Sequence, residues 1–306
     1  MKKILVIKHG SLGDIVFSLP SMMSIREKYP NSIIDLLTEN FFCSFLSKSN
    51  IFDKILIDNR KNSYFKTLMI LFNLIKNKYD LIIDLQNSKR TSIYNFLFRF
   101  TGNSLVCSSR PFAQLRYNIP TQGKEKVISG LANQLSLLQI NIIKSPNYNW
   151  LKINLDKEIP DKLVLFIPGV SNKNTHKQWP PKNFVKLAKY CESKNYTICV
   201  VGTEQDIPSI KPIIKDCKNV INKINKSPPE VIYSIALKSK LIFSNDTGPG
   251  HVASLSKKNI IWILNDNLVS KANIGNDMFN HKVSSNSVKQ ITAENVINYI
   301  KENKLL

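Results

Sequence analysis

The sequence has few cysteines, few acids and no long apolar run. Its five cysteines, Cys43, Cys107, Cys191, Cys199 and Cys217, are scattered, odd in number and never spaced C-x-x-C. That pattern argues against a metal knuckle, a redox pair or a disulfide frame, and for free buried thiols in a reducing compartment. No window reaches the roughly 18 uninterrupted apolar residues of a membrane span. The nearest, Leu68–Ile75, is broken by Asn73. Met1-Lys2-Lys3 opens like a secretion signal, but the apolar run Ile4–Ile7 stops at Lys8 and no small-residue cleavage site follows. A cytosolic location is the expectation. Also missing are G-x-G-x-x-G, a Walker A loop, internal repeats and low-complexity tracts, so neither a dinucleotide fingerprint nor a P-loop is present.

Acids are outnumbered: 43 Lys+Arg face 22 Asp+Glu, a net charge of +21. The lysines are spread along the chain beside abundant Asn and Ile, as the codon bias of an AT-rich genome would produce. The remaining excess draws the body to phosphates and anionic lipid surfaces. Interleaved aromatic and basic stripes of a single-strand binder are absent, so nucleic acid is not the expected partner. A non-catalytic basic nucleic-acid module stays as the least favoured alternative. At 306 residues, with 43% hydrophobic and 21% charged, the chain is neither disordered nor fibrous and has room for two domains.

Short apolar runs alternate with helical stretches. Strands are expected at Ile4–Ile7, Ile33–Leu37, Lys54–Ile57 and Leu81–Leu85, with helices to about Lys28 and over 62–77. A basic, irregular region lies around Arg110–Thr121, and a helix follows at roughly 124–139. A second series holds strands Leu163–Ile167, Ile198–Val201, Leu241–Ser244 and Ile260–Leu264. Its helices fall at 181–194, about 230–238, about 249–257 and about 293–304, the last with a partial Thr292–Asn295 cap. Continuous apolar strands between helices mean parallel sheets covered on both faces. The expected fold is α/β: two doubly wound, Rossmann-like domains, 1–155 and 156–306, with ligands beyond the strands' carboxyl ends in an interdomain cleft.

Chemistry-bearing residues fall at those strand ends. Gly10-Ser11-Leu12-Gly13-Asp14 follows the first strand, where Asp14 is open to two readings, a ligand-facing carboxylate or a helix N-cap. Ser171, Asn172 and Lys177 lie in the loop after Ile167. Lysine there is a compact charge suited to phosphate oxygens, or merely one exposed lysine among many. Asn245-Asp246-Thr247-Gly248-Pro249-Gly250-His251 joins a strand to a helix. Its backbone N–H groups offer an anion site, while Asp246 and His251 could equally be a loop brace and a satisfied buried histidine.

Four segments in register carry a resemblance: I-L-V-I-K-H-G-S-L-G-D-I-V-F-S-L-P at Ile4–Pro20, Y-D-L-I-I-D-L-Q at Tyr79–Gln86, P-G-V-S with K-Q-W-P-P-K-N-F at Pro168–Phe184, and S-N-D-T-G-P-G-H-V-A-S-L at Ser244–Leu255. Together they resemble the ADP-heptose:lipopolysaccharide heptosyltransferases of glycosyltransferase family 9, from residue 3 to about 265. The resemblance implies a GT-B fold, with an acceptor-binding N-terminal domain and a nucleotide-sugar-binding C-terminal one. The last helix is left free to pack back on the first domain. It further implies an inverting sugar transfer that uses no metal and no cofactor beyond the nucleotide-sugar, with ADP-heptose the expected donor. The acceptor is a lipid A–core oligosaccharide at the cytosolic face of the bacterial inner membrane, reached by peripheral contact with the anionic surface.

Residue by residue, the resemblance makes Asp14 the general base and Lys177 the group that neutralises the donor diphosphate. Thr247 and Gly248 hold the leaving ADP, Asp246 lies near the sugar and His251 near the phosphates. Ser171 and Asn172 contact phosphate or adenosine, and Glu204 and Asp206 face the ribose. Gly10, Ser11, Gly13 and Gln86 build the acceptor loops. The chain departs from its relatives at Asn265-Asp266-Asn267, at Gly250, at Asn87 and at Lys126. These departures touch the donor pocket and acceptor loops and keep open a different nucleotide-sugar acting on O-antigen or another surface glycan.

Overall fold

The computed structural model describes residues 2–59, 61, 63–119, 126–155, 159–266, 274–275 and 277–306. It divides into two compact units, Met1–Asn147 and Tyr148–Leu306. In the first unit the elements are β1 (Lys3–Ile7), α1 (Leu12–Lys28), β2 (Ile33–Thr38), α2 (Cys43–Ser47) and β3 (Lys54–Ile57). They continue as α3 (Tyr64–Ile75), β4 (Leu81–Asp84), α4 (Lys89–Phe100), β5 (Leu105–Ser108), β6 (Leu115–Arg116) and α5 (Val127–Ser136). The second unit holds β7 (Leu163–Ile167), α6 (Pro181–Ser193), β8 (Thr197–Gly202), α7 (Ile207–Asp216), β9 (Val220–Ile224) and α8 (Pro229–Lys238). It ends with β10 (Leu241–Asn245), α9 (Gly248–Ser254), β11 (Ile260–Asn265), β12 (Asn280–Ser285) and α10 (Ala293–Glu302).

Each sheet has six strands, ordered β3-β2-β1-β4-β5-β6 and β12-β11-β10-β7-β8-β9, and every pairing is parallel. Within each unit this is the doubly wound nucleotide-binding order, which reverses direction between β1 and β4 and between β7 and β10. Loops part at such a reversal and leave a crevice at the carboxyl ends of the central strands. The central strands earn their place by composition: Ile4–Ile7, Leu163–Ile167 and Ile260–Ile263 are fully buried or nearly so.

In the first sheet Leu5, Ile7, Leu37, Ile82 and Val106 share one face, where Leu71 and Leu74 of α3 and Tyr94 and Phe98 of α4 cover them. In the second, Trp179, Phe184 and Leu187 pack with Phe166, Phe243 and Ile210. Val296 and Ile300 place the last helix, α10, in that same core.

Several stretches read differently in the structure. α4, α7 and β9 were not anticipated: α4 is rich in aromatics of modest helix propensity, and β9 is a short half-buried edge strand. β12 (NHKVSS) is polar and half-buried throughout, so it lacks an apolar signature. The irregular basic region contains the two-residue strand β6. The partial cap at Thr292 is a complete box: Thr292 Oγ1 accepts from Asn295 N–H at 3.1 Å while Asn295 Oδ1 accepts from Thr292 N–H at 2.8 Å. All five cysteines are free, with Cys43 half-buried and the other four buried.

Candidate active site

The first unit's crevice opens where β1 and β4 end. Ser11 caps α1, and Asp14 closes the box from the third helical position. Asp14 Oδ2 accepts from Ser11 N–H at 2.7 Å and from Ser11 Oγ at 2.9 Å. Asp14 is therefore not the N-cap itself but its reciprocal partner. Gly10 makes this approach possible: it has φ +123°, and a Cβ there would lie 2.7 Å from Asp14 Oδ2. Gly13 is buried in the first helical turn.

The loop is braced from β4, since Gln86 Oε1 accepts from His9 N–H at 3.0 Å. Buried Asp84 accepts from the N–H groups of Gln86 and Asn87, each at 3.0 Å. Asn87 has φ +52°, a left-handed conformation that Asn tolerates. Its side chain donates to Gln134 Oε1 at 2.6 Å and accepts from Ser109 N–H at 2.8 Å.

These groups line a pocket of about 330 Å³ that includes Asp14, Lys8, Gln86, Asn87 and Lys126. Lys8 was not anticipated. It is buried, donates through Nζ to Leu85 O at 3.1 Å, and burial lowers its pKa against the raising influence of Asp14 and Asp84. Behind the loop lies a second group with no sequence signature. Fully buried Asp58 accepts from Tyr94 OH at 2.5 Å and Arg90 at 2.8 Å, with His9 Nε2 at 3.4 Å. Burial pushes its carboxyl up, but hydrogen bonds with His9 and Tyr94 and the Arg90 charge bring it below the usual range.

In the second unit the crevice forms where β7 and β10 end. Asp246 holds two side chains: Lys177 Nζ donates to Oδ2 at 2.7 Å, and His251 Nε2 lies 3.1 Å from Oδ1. Burial opposes the Asp246 charge, yet hydrogen bonds with His251 and Lys177 outweigh it and hold the carboxyl far below the ordinary carboxylate range. His251 is buried and its ring lies 4.9 Å from that of Trp262. Gly250 is required by packing, because a Cβ there would press on Ser244 Oγ and lie 2.8 Å from Trp262.

Lys177 ends a 3-10 segment, Asn172–Lys177, whose N-cap is exposed Ser171. Asn172 is exposed too, and Asn174 Nδ2 donates to Ser171 Oγ at 2.9 Å. This segment hangs from two asparagines that sequence reasoning gave no such role. Asn245 Nδ2 donates to Pro168 O at 2.8 Å, tying β10 to β7. Asn265 Nδ2 donates to His176 O at 3.0 Å while its Oδ1 accepts from Val288 N–H at 2.7 Å. The departing residue Asn265 is thus a clamp on the loop that bears Lys177. Asp266 N–H donates to Ser285 O at 2.6 Å, and Asn267 lies outside the described residues.

Thr247 is the N-cap of α9 and Gly248 its first residue. Asp206 occupies a different corner. Its Oδ2 accepts from Thr203 N–H at 2.8 Å and Thr203 Oγ1 at 3.0 Å, and its side chain presses on Gly169 and Gly202. Glu204 N–H donates to Asn225 Oδ1 at 3.0 Å. The structure thus brings Lys177, Asp246 and His251 into direct contact and leaves Glu204 and Asp206 with capping and loop roles. Among the described residues, no three His, Cys, Asp or Glu side chains are grouped to hold a metal ion.

The sequence profile of glycosyltransferase family 9 (heptosyltransferase) matches residues 70–263, more than half the chain. The chain belongs to glycosyltransferase family 9. It is 23% identical to lipooligosaccharide heptosyltransferase 2 of Haemophilus ducreyi, over 84% of this chain and 80% of that protein. It is 21% identical to lipopolysaccharide heptosyltransferase 3 of Escherichia coli, over 79% and 77%. The solved structure of E. coli heptosyltransferase WaaC with ADP-2-deoxy-2-fluoro heptose superposes with a TM-score of 0.77 at 16% identity, covering 98% of this chain and 99% of that one. A family 9 glycosyltransferase from Veillonella parvula gives 0.78 at 17%, covering 99% and 97%. The protein is thus a glycosyltransferase with the GT-B fold of this family.

Proposed function

We propose that this family 9 glycosyltransferase moves heptose from ADP-heptose to a lipopolysaccharide core acceptor, with inversion and without a metal ion. The observation that carries the reading is Asp246 gripping both Lys177 and His251 at the crevice of a nucleotide-binding fold. Such a cluster fixes an ammonium where a diphosphate can use its remaining N–H donors. The names of the relatives support the sugar and the acceptor.

In the proposed reaction an acceptor hydroxyl attacks the anomeric carbon of the donor. The new C–O bond forms as the bond to the diphosphate breaks, and ADP leaves with the electron pair. Asp14 takes the hydroxyl proton. Because Oδ2 is engaged by Ser11, the carboxylate is aimed before substrate arrives. Lys177 meets the charge that grows on the leaving diphosphate, helped by the N–H groups of Thr247 and Gly248. That lysine supplies the positive field a metal would otherwise provide. Ser171 and Asn172 stand on the exposed start of the same loop, open to phosphate or adenosine. We place the reaction at the cytosolic face of the inner membrane. No described helix is long and apolar enough to cross a membrane, so peripheral contact is the mode proposed.

Titration calorimetry against ADP, UDP, GDP and CDP tests the donor, and transfer assays with ADP-heptose and a heptose-deficient core acceptor test the whole. Preference for ADP and turnover that persists in EDTA are expected. Preference for UDP or GDP would replace heptose by another sugar and direct the enzyme to O-antigen or another surface glycan.

A further inference from the structure

Helix α3 has apolar residues on its outward as well as its inward face. Leu71 and Leu74 point into the first sheet's core, but Phe65, Leu68, Met69 and Phe72 are exposed, Phe65 at 74%. Their i, i+3, i+4, i+7 spacing puts them on a single outward stripe. A helix with apolar residues on every side is normally covered on every side. Helix α4 repeats the pattern beside it: Ile93, Phe96 and Phe100 form an outward stripe, Phe100 exposed at 58%. Phe96 packs against Phe100 at 5.0 Å between centroids and meets exposed Phe112 edge-on at 5.2 Å. The two helices contact each other and cover the same face of the sheet, so their stripes belong to one layer.

The charge around this layer has one sign. Neither α3 nor α4 contains an acid, and residues 58–119 contain ten Lys and Arg against three acids, Asp58, Asp80 and Asp84; fully buried Asp58 is paired with Arg90. Asp84 is buried, and Asp80 Oδ2 accepts from Lys3 N–H at 2.7 Å. Exposed Lys66 flanks the α3 stripe, Lys76 and Lys78 follow its end, and Lys89 precedes Ile93 on the face of α4. Arg99 lies over the Phe100 ring at 4.9 Å.

We propose that the outward layer of α3 and α4 is the surface by which the enzyme seats on an anionic phospholipid bilayer. It rests on the functional reading above in taking a bilayer as the partner, and names where that partner binds. A second copy of this chain would bring the same lysine rows together and be repelled. An anionic headgroup plane pairs with them, while the Phe, Leu, Ile and Met side chains sink roughly 5–10 Å toward the acyl boundary.

The test is sedimentation of the full chain with vesicles of phosphatidylcholine alone or mixed with phosphatidylglycerol, without donor or acceptor. Binding is expected only to the mixed vesicles and should weaken with added salt. Phe65→Ser/Met69→Ser/Phe72→Ser should weaken it at least about tenfold, as should Lys66→Glu/Lys76→Glu. Lys211→Glu/Lys215→Glu on exposed positions of α7 makes the same charge change and should leave binding near wild type. Thermal melting and ADP titration check that each variant is folded. Equal losses from the α3 and α7 charge variants would overturn the proposal, and so would vesicle binding that survives loss of the stripe. A stripe variant that changes only the oligomeric state would do the same. Absence of ADP binding in the wild type would count against the donor reading alone.

Discussion

Lys177 Nζ donates to Asp246 Oδ2 at 2.7 Å, linking residues 69 positions apart across the β7 and β10 ends. The ammonium is therefore placed by a carboxylate rather than left to search solvent, which lowers the cost of ordering it around a ligand. Lys177→Ala should weaken ADP binding and lower transfer together. A charge-assisted hydrogen bond contributes about 1.5–3 kcal/mol, so roughly tenfold to a hundredfold is expected in calorimetry and initial rates. Unchanged values would remove its phosphate role.

Asp14→Asn separates chemistry from architecture. The amide oxygen can still accept from Ser11 N–H, so the capping box, the fold and ADP affinity should persist. Turnover should fall by about 10²–10⁴, the range for losing a general base. Near-normal transfer by a folded variant would assign the base elsewhere.

Gly10→Ala tests the turn beneath that carboxylate. The residue has φ +123°, and its Cβ would meet Asp14 Oδ2 at 2.7 Å. Strain of roughly 1–3 kcal/mol is expected in urea unfolding, with a loss of turnover larger than the loss of ADP affinity. A variant as stable and active as wild type would show that the turn tolerates a side chain.

The pH dependence of stability follows from Asp246. Its folded pKa is depressed below the ordinary 3.8. A depressed carboxylate stabilises the fold at pH values above the unfolded pKa, and that contribution is lost as pH falls through the folded one. Unfolding free energy should therefore drop below about pH 4 more steeply in wild type than in Asp246→Asn. At neutral pH the variant keeps one acceptor oxygen where two were used and removes the charge that pairs with Lys177, so it should be less stable by about 1–3 kcal/mol. Parallel pH curves for the two proteins would contradict the coupling.

Thiol labelling offers a direct check on packing. Burial pushes Cys107 and Cys199 up to about 12 and Cys217 up to about 11, so these thiols hold almost no thiolate near neutrality. Cys43 is half-buried and the other four are buried. Alkylation of native protein near pH 8, read by mass spectrometry, should mark Cys43 first and the rest only on unfolding.

Much of this was legible because central parallel strands write themselves as unbroken apolar runs: Leu163–Ile167 begins and ends where the sequence places it. Edges were harder. β12 and β9 are half-buried and polar or mixed, and α4 hides its helical period among aromatics. Asp14, Lys177, Asp246 and His251 stood out at strand ends, yet their coupling did not, since the Lys177–Asp246 contact depends on sheet order. The sequence places Glu204 and Asp206 at a ribose, but it does not show that Asp206 closes the capping box of Thr203, three residues earlier. Asp58, Lys8 and Asn245 carried no local signal, because a lone buried polar residue is marked only by partners brought to it in three dimensions.

Asn265 holds the 3-10 segment at His176 and the chain after β12 at Val288 with a single amide. The end of β11 and the segment that bears Lys177 consequently share a hinge pin. On the proposed donor reading, a change at the end of β11 would shift Lys177 as well. Libraries aimed at new donors should therefore keep this amide fixed and vary its neighbours, or pair each change at 265 with a compensating one in the 172–177 segment.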